Sequence, residues 1–443
     1  MTTKLTLPAA TKMLSKDFTY GVATASFQIE GGIDSRLPCI WDTFCNTPNK
    51  IADASTGEVA CDHYNRWQGD IELVGSLGVD AYRLSISWPR VIKESGELNP
   101  EGVAYYIGIL DELKSKNIKA FVTLYHWDLP QYLEDNGGWL NRETAYKFSH
   151  YADLISTAFG DRVHAYATLN EPFCSAFLGY EAGIHAPGIV GKQYGKKAAH
   201  HLLLAHGLAM AVLAKNSPNT LNGIVLNFTP CYPETDTEAD VTASNFADDY
   251  FNQWYIKPLF DGQYPEIINQ LPKENRPEIV EGDMDIISHA MDFLGVNFYT
   301  RAIYRSDKEE HFFQIDPPAP ITDIGWEIYP KAFTELLVSL NEKYSLPPIY
   351  ITENGAAMAD KITDGVVNDQ DRLDYYQQHL NAVHDAIEQG VEVHGYFAWS
   401  LMDNFEWAEG YLKRFGIVYV DYATQARTIK ASGLAYKALI TSR

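Results

Sequence analysis

The sequence predicts a single (β/α)8 TIM barrel with long βα loops forming the active-site cleft. Eight short apolar, β-branched or aromatic runs recur between segments of helical period. Strand, helix, strand alternation is the pattern of a parallel sheet with helical crossovers, and eight repeats favour closure over an open, doubly wound sheet. An open sheet of that kind would carry a glycine-rich phosphate loop after its first strand. Neither GxGxxG nor GxxxxGK[ST] stands there.

The eight runs occupy residues 18–24, 81–86, 120–125, 165–169, 223–227, 293–298, 349–352 and 395–398. Between the second and third, Tyr106, Ile109, Leu110 and Leu113 follow the i, i+3, i+4, i+7 rule of a buried helical face, and the segment after Asn141 behaves alike. The whole chain, residues 1–443, reads as one catalytic domain with 1–16 as an N-terminal extension, since barrels with long insertions fill such a length. Stretches 31–62, 300–330 and 400–416 follow strands and are rich in Pro, Gly, Asp and aromatics. Loops at strand C-terminal ends carry barrel active sites, so these are the expected cleft walls. Segment 307–320, charged and then holding Pro317, Pro318 and Pro320, reads as a surface loop because barrel strands are required on both sides of it.

With 46% hydrophobic and 21% charged residues the chain can bury a large core, and no stretch reads as apolar for long enough to span a bilayer. A formal charge of -23 opposes nucleic acid and anionic membrane surfaces as partners, whereas a neutral small molecule meets no such penalty. Residues 1–16 lack the apolar core of a secretory signal, so the expected compartment is cytoplasmic. Cys39, Cys45, Cys61, Cys174 and Cys231 form an odd set without CxxC or zinc spacing and suit reduced thiols. His200, His201 and His206 share a helical segment but not the i, i+4 spacing of HExxH, so neither a metal nor another cofactor is expected. Oligomeric state is not legible.

Two runs end in glutamate. The fourth continues Thr168-Leu169-Asn170-Glu171-Pro172 and the seventh Tyr350-Ile351-Thr352-Glu353-Asn354-Gly355. A turn-forming residue follows each, which puts both carboxylates at strand C-terminal lips facing one mouth. A carboxylate pair flanking a glycosidic bond is the standard equipment for its cleavage, and a spacing of about 5 Å lets one of them attack directly. Glu353 would be the ionised nucleophile and Glu171 the protonated acid, later the base. For either glutamate alone, a solvated surface charge is the plain alternative; two on these two strands make it a poor one.

These blocks resemble glycoside hydrolase family 1, the β-glucosidase family, along nearly the whole chain. The likeness rests on Phe18-Thr19-Tyr20-Gly21-Val22-Ala23-Thr24-Ala25-Ser26-Phe27-Gln28-Ile29-Glu30-Gly31, Tyr82-Arg83-Leu84-Ser85-Ile86-Ser87-Trp88 and His126-Trp127-Asp128-Leu129-Pro130. It continues through the two glutamate blocks to Ser400-Leu401-Met402-Asp403-Asn404-Phe405-Glu406-Trp407. The resemblance implies a retaining hydrolase in which Arg83 and Tyr299 flank Glu353 and Asn170 reaches the 2-hydroxyl of the sugar. It implies that Gln28, His126, Trp127, Asn297, Glu406, Trp407 and Phe415 surround the inner sugar, with Trp399 beneath its apolar face. A sugar offers hydroxyls at its rim and C–H groups on its faces, so polar side chains over an aromatic floor suit it. Phe173, Cys174, Leu178 and Trp326 are implied to line the aglycone side. Trp88 stays a core aromatic, and Asp403 reads as a structural turn residue rather than a third acid.

A branch of the family that takes 6-phosphoglycosides holds the phosphate with a serine, a lysine and a tyrosine, where this chain has Glu406, Lys413 and Phe415. Only the lysine agrees, and a carboxylate repels a phosphate dianion. Glu171 also departs from the glutamine of the thioglucoside branch. The expected substrates are therefore small-molecule, unphosphorylated β-glucosides, with 6-phospho-β-glucosidase activity, or galactoside, fucoside and transglycosylation preferences, as the alternatives.

Overall fold

Small residues on some strands leave room for large rings from others, and this decides how the barrel axis is filled. The computed structural model describes residues 4–443. Ala23, Ala81, Ala165, Ala167 and Val225 pack around Phe121, Phe293, Tyr350 and Phe397. The Phe121 ring lies 4.9 Å from Phe397 and 5.4 Å from Tyr350, so the interior is a packed core and not a pore. Gly21 is needed where the first strand passes that ring, since a Cβ there would come within 2.3 Å of Phe397.

The strands are β1 (Thr19–Ala23), β2 (Ala81–Ser85), β3 (Lys119–Tyr125), β4 (Ala165–Asn170), β5 (Leu221–Phe228), β6 (Phe293–Phe298), β7 (Ile349–Asn354) and β8 (Val393–Trp399). All pair in parallel with their sequence neighbours, and β1 closes on β8 from Thr19↔Gly395 to Ala23↔Trp399. The eight expected runs thus become the barrel, each end within two residues of its expected place. Register slips interrupt β4–β5 between Ala167 and Asn170, β7–β6 between Ile351 and Glu353, and β7–β8 between Ile351 and Asn354. These three lie at the end where the glutamates stand, as bulges commonly lie beside active sites, where they re-aim side chains; a fourth, between Ile349 and Tyr350, lies at the other end of β7.

The helices wrap this cylinder: α1 (His63–Ser76), α2 (Pro100–Ser115), α3 (Glu143–Phe159), α4 (Lys192–Asn216), α5 (Glu238–Asp248), α6 (Trp254–Asp261), α7 (Lys331–Lys343), α8 (Gln370–Glu388) and α9 (Ala431–Thr441). Tyr106, Ile109, Leu110 and Leu113 are buried on α2 as their spacing predicts. One expectation fails here: α4 is long and apolar enough to cross a membrane by length and composition. In the fold 72% of its most apolar window is buried, and it packs on α3, so its apolarity is that of a core helix. His200, His201 and His206 on α4 are held by Asp283 and Tyr264, by the Trp139 carbonyl and by Thr168 respectively.

A second correction concerns 300–330, expected as loop. It contains an antiparallel pair, Ala302–Asp307 with His311–Gln314, and Cys231–Pro233 adds a third, parallel strand. Tyr304 and Phe312 seat this small sheet on α5 through Ala247, burial that a charged, proline-bearing stretch does not advertise. At the N-terminus Leu5 and Met13 are buried against the body, while residues 1–3 of the expected extension lie outside the described residues. All five cysteines are unpaired.

Candidate active site

Glu171 is the first residue past β4 and takes φ 46°, a left-handed conformation unusual for a residue with a side chain. Its amide donates to the Val225 carbonyl at 2.9 Å, which fixes the turn. Glu353 lies within β7, paired with Asn297 across the slip. Both are buried, at 5% and 3% exposure.

The surroundings of the two carboxyls differ in sign. Arg83 Nη1 donates to Glu353 Oε1 at 2.5 Å and Tyr299 to Oε2 at 2.5 Å. Glu171 receives only neutral donors, Asn297 Nδ2 on Oε1 at 2.5 Å and the Cys174 thiol on Oε2 at 3.1 Å. Burial raises both carboxyls above the ordinary glutamate value. On Glu353 the Arg83 charge and the Tyr299 hydroxyl oppose that rise. On Glu171 the negative charge of Glu353 adds to burial and pushes it up to about 8. The shared proton therefore belongs on Glu171 and the charge on Glu353.

A polar web behind the pair sets orientation. Asn170 Oδ1 accepts from Arg83 Nη2 at 2.6 Å and from Asn297 Nδ2 at 3.1 Å, and Asn170 Nδ2 donates to His126 Nε2 at 3.1 Å. Burial, then the Arg83 charge, hold His126 well below its usual range. A neutral ring that accepts at Nε2 carries its hydrogen at Nδ1. Among the described residues, His126 Nδ1, Gln28 Oε1 and Glu406 Oε2 are buried atoms with no protein partner. Buried polar atoms demand partners, and sugar hydroxyls both donate and accept. Burial, then the charges of Glu353 and Glu171, push Glu406 up to about 8.

Aromatic rings close the floor. Trp399 and Trp407 each lie 5.9 Å from the His126 ring at shallow angles, and Trp127 lies 4.6 Å from Trp407. The Trp127 indole donates to the Asn170 carbonyl at 2.9 Å. Phe415 packs 6.0 Å from Tyr299 and 5.9 Å from Trp326. Together these residues line a cavity of about 790 Å³ that also reaches Phe173, Cys174 and Leu178, a size suited to a glycoside. The structure thus brings every expected site residue to one place. Gln28, Arg83 and Asn170 are not among the lining side chains and join the site through hydrogen bonds to Phe405, Glu353 and Asn297.

Two expectations about the walls need correction. Stretch 31–62 adds no side chain to the lining; its Trp41 instead packs 4.6 Å from Trp407 and supports that ring from behind. Conversely, the cavity wall includes Phe177, Ile184, His185, Phe251 and Asn252, none foreseen, while Ile324 and Trp326 come from the expected stretch 300–330. Phe177 was within reach of sequence reasoning, because it stands one turn beyond Phe173 and stacks on it at 5.2 Å. Phe251, 5.1 Å from Phe177, arrives from beyond β5, and nothing local marks it. Two π-helical turns, Cys174–Leu178 and Asp249–Gln253, deliver these rings.

Lys413 lies outside the lining, its ammonium donating to the Asp323 carbonyl at 2.6 Å and lying 3.3 Å from its carboxylate. Asp403 is fully buried, accepts from Arg414 and Lys430 at 2.6 Å each, and takes the Gly416 amide at 3.0 Å. It anchors the segment carrying Glu406 and Trp407, as a structural turn residue should. Trp88 is 1% exposed and stacks on Tyr151.

The sequence model described as glycosyl hydrolase family 1 matches residues 10–443. A β-glucosidase of Agrobacterium sp. (strain ATCC 21400) is 46% identical over 432 residues, 96% of this chain and 94% of that protein. A Bifidobacterium breve protein named bifunctional β-D-glucosidase/β-D-fucosidase is 43% identical, covering 97% of this chain and 98% of its own. Among solved structures, the Thermotoga maritima family 1 glycoside hydrolase complexed with a cyclophellitol analogue transition state mimic aligns with a TM-score of 0.94. That match has 43% identity and covers 99% of this chain and 98% of the other.

Proposed function

This chain belongs to glycosyl hydrolase family 1, and on that premise we propose that it is a retaining β-glucosidase removing terminal, non-reducing β-D-glucosyl residues. Its substrates in this reading are cellobiose, short oligosaccharides and aryl or alkyl β-glucosides. The observation that carries the reading is the asymmetry of the buried pair, with Glu353 held by a cation and a hydroxyl and Glu171 held by neutral donors.

In the first half of the cycle the Glu353 carboxylate attacks the anomeric carbon while Glu171 gives its proton to the glycosidic oxygen. The aglycone leaves as an alcohol and the sugar remains as an ester of Glu353. Esterification removes the charge beside Glu171, which then ionises more readily and takes a proton from water. The resulting hydroxide attacks the same carbon, Glu353 leaves as a carboxylate, and Glu171 ends protonated again. Two displacements at one carbon retain its configuration. Asn170 retains one amide hydrogen for the 2-hydroxyl, since its oxygen is engaged by Arg83 and Asn297 and its other hydrogen by His126.

Proton NMR of the first sugar released from an aryl β-D-glucoside tests the stereochemistry. The β-anomer should appear before mutarotation, and the α-anomer first would refute the double displacement. Run beside it, the 6-phosphate of that glucoside should be a poor substrate, because Lys413 is engaged by Asp323 and Glu406 lies in the cavity. The fucoside deserves the same assay, given the relative named for both activities.

A further inference from the structure

Three residues past Glu171 the chain enters the π-helical turn Cys174–Leu178, and the Cys174 amide donates to the Glu171 carbonyl at 2.9 Å. This local geometry brings Sγ to 3.1 Å from Glu171 Oε2, on the wall of the cavity. The two oxygens of Glu171 are then unlike. Asn297 presents Nδ2 to Oε1, and its amide cannot flip, because its own Oδ1 accepts from Thr352 Oγ1 at 2.6 Å. Oε1 is thereby fixed as an acceptor, and the proton of the acid form falls to Oε2, the oxygen that Cys174 faces.

A thiol is both a weak donor and a weak acceptor. It can give a hydrogen bond to Oε2 when Glu171 is ionised and turn to accept when Oε2 carries the proton. An amide or an ammonium at that place would oppose the acid form. We propose that Cys174 is a positioning residue for Glu171: its thiol holds Oε2 through both protonation states, with the somewhat stronger bond to the ionised, water-activating one.

The proposal rests on the reading of Glu171 as acid and base. Burial and the neighbouring carboxylates keep the thiol itself well above its ordinary range, so it stays an S–H and does not compete as a nucleophile. The other titratable groups bearing on Glu171 are Glu353 on β7, Arg83 on β2, Tyr299 after β6 and Glu406 after β8. None of them touches Oε2, so the thiol can be removed without disturbing a charged partner.

The test is the alkaline limb of kcat/KM on an aryl β-glucoside, which reports loss of the Glu171 proton in the free enzyme. Cys174→Ala should move that limb upward by about half a unit, because a hydrogen bond to the charged form is lost. Cys174→Ser, which keeps a donor, should leave it near its original position. If the alanine variant folds poorly by circular dichroism, Cys174→Val reads the same limb. An unmoved limb with an altered KM for bulky aglycones would overturn the proposal and leave Cys174 as wall alone, and so would a serine variant that shifts as alanine does. Glu171→Ala is the control: it should lose the limb and regain turnover of an activated glucoside with azide. Should the limb persist there, the assignment of Glu171 itself fails, a result distinguishable from failure of the thiol.

Discussion

At the residue scale the site works by giving two chemically identical side chains different neighbours. Tyr299 and Arg83 favour the charge on Glu353, so removing either donor raises the Glu353 pKa and makes it protonate at a higher pH. In Tyr299→Phe the acid limb of kcat/KM should therefore move upward. Loss of a hydrogen bond to a charged group should lower kcat/KM near neutral pH by about tenfold or more. An acid limb that stays in place would separate Tyr299 from Glu353 chemically. For the parent enzyme, activity should fall as pH rises through about 8, where Glu171 gives up its proton. Both glutamates were legible in the sequence because a carboxylate closing a β-run before Pro172 or before Asn354-Gly355 is a local feature. Phe251 and Asn252 were not, because their place in the cavity depends on how the segment beyond β5 folds back.

At the element scale, the strand ends and not the strand middles carry the information. The barrel strands appear where period and composition predict them, and the register slips beside Asn170, Glu353 and Asn354 then turn those ends toward the mouth. Gly355 shows how tight that end is, since a Cβ there would lie 1.7 Å from the Trp399 carbonyl oxygen. Backbone cannot yield as a flexible side chain does, so Gly355→Ala should cost about 3 kcal/mol in urea unfolding. It should also raise KM, because Glu353 and Trp399 sit on the two strands forced apart. Wild-type stability in that variant would mean that β7 and β8 can separate there without loss. The hairpin 302–314 and the two π-helical turns were hidden from sequence reasoning for a common reason: their residues are ordered by burial against distant segments rather than by local propensity.

At the scale of the whole molecule, a buried charge network ties the C-terminus to the cleft. Arg372 pairs with Asp360 and Asp369, Lys430 with Asp360 and Asp403, and Arg414 with Asp403. Removing one carboxylate leaves buried cations short of a partner, so Asp403→Asn should lose about 3 kcal/mol of stability. The loss should persist in high salt, because buried pairs are poorly screened; a loss that vanishes in salt would place the interaction at the surface. Glu171 supplies a second global effect. Folding keeps its proton up to about 8 against an ordinary 4.5, so the folded state binds more protons between those values. Its stabilising share is complete below 4.5 and is lost as pH climbs to about 8. Glu171→Gln lacks that loss, and its Tm advantage over the parent should widen steadily from acid to alkaline pH; a constant difference would contradict the raised carboxyl. Read alone, the sequence determined the barrel, the two glutamates at its mouth and the family, because periodicity and motif order are properties of neighbours along the chain. Only the tertiary structure decided which donors hold each glutamate, that Lys413 is already engaged, that Trp41 braces Trp407 from behind, and that Phe177 and Phe251 join the cavity wall. Those depend on distances between segments far apart along the chain, and electrostatic and packing energies are set by such distances in space, not by separation along the chain.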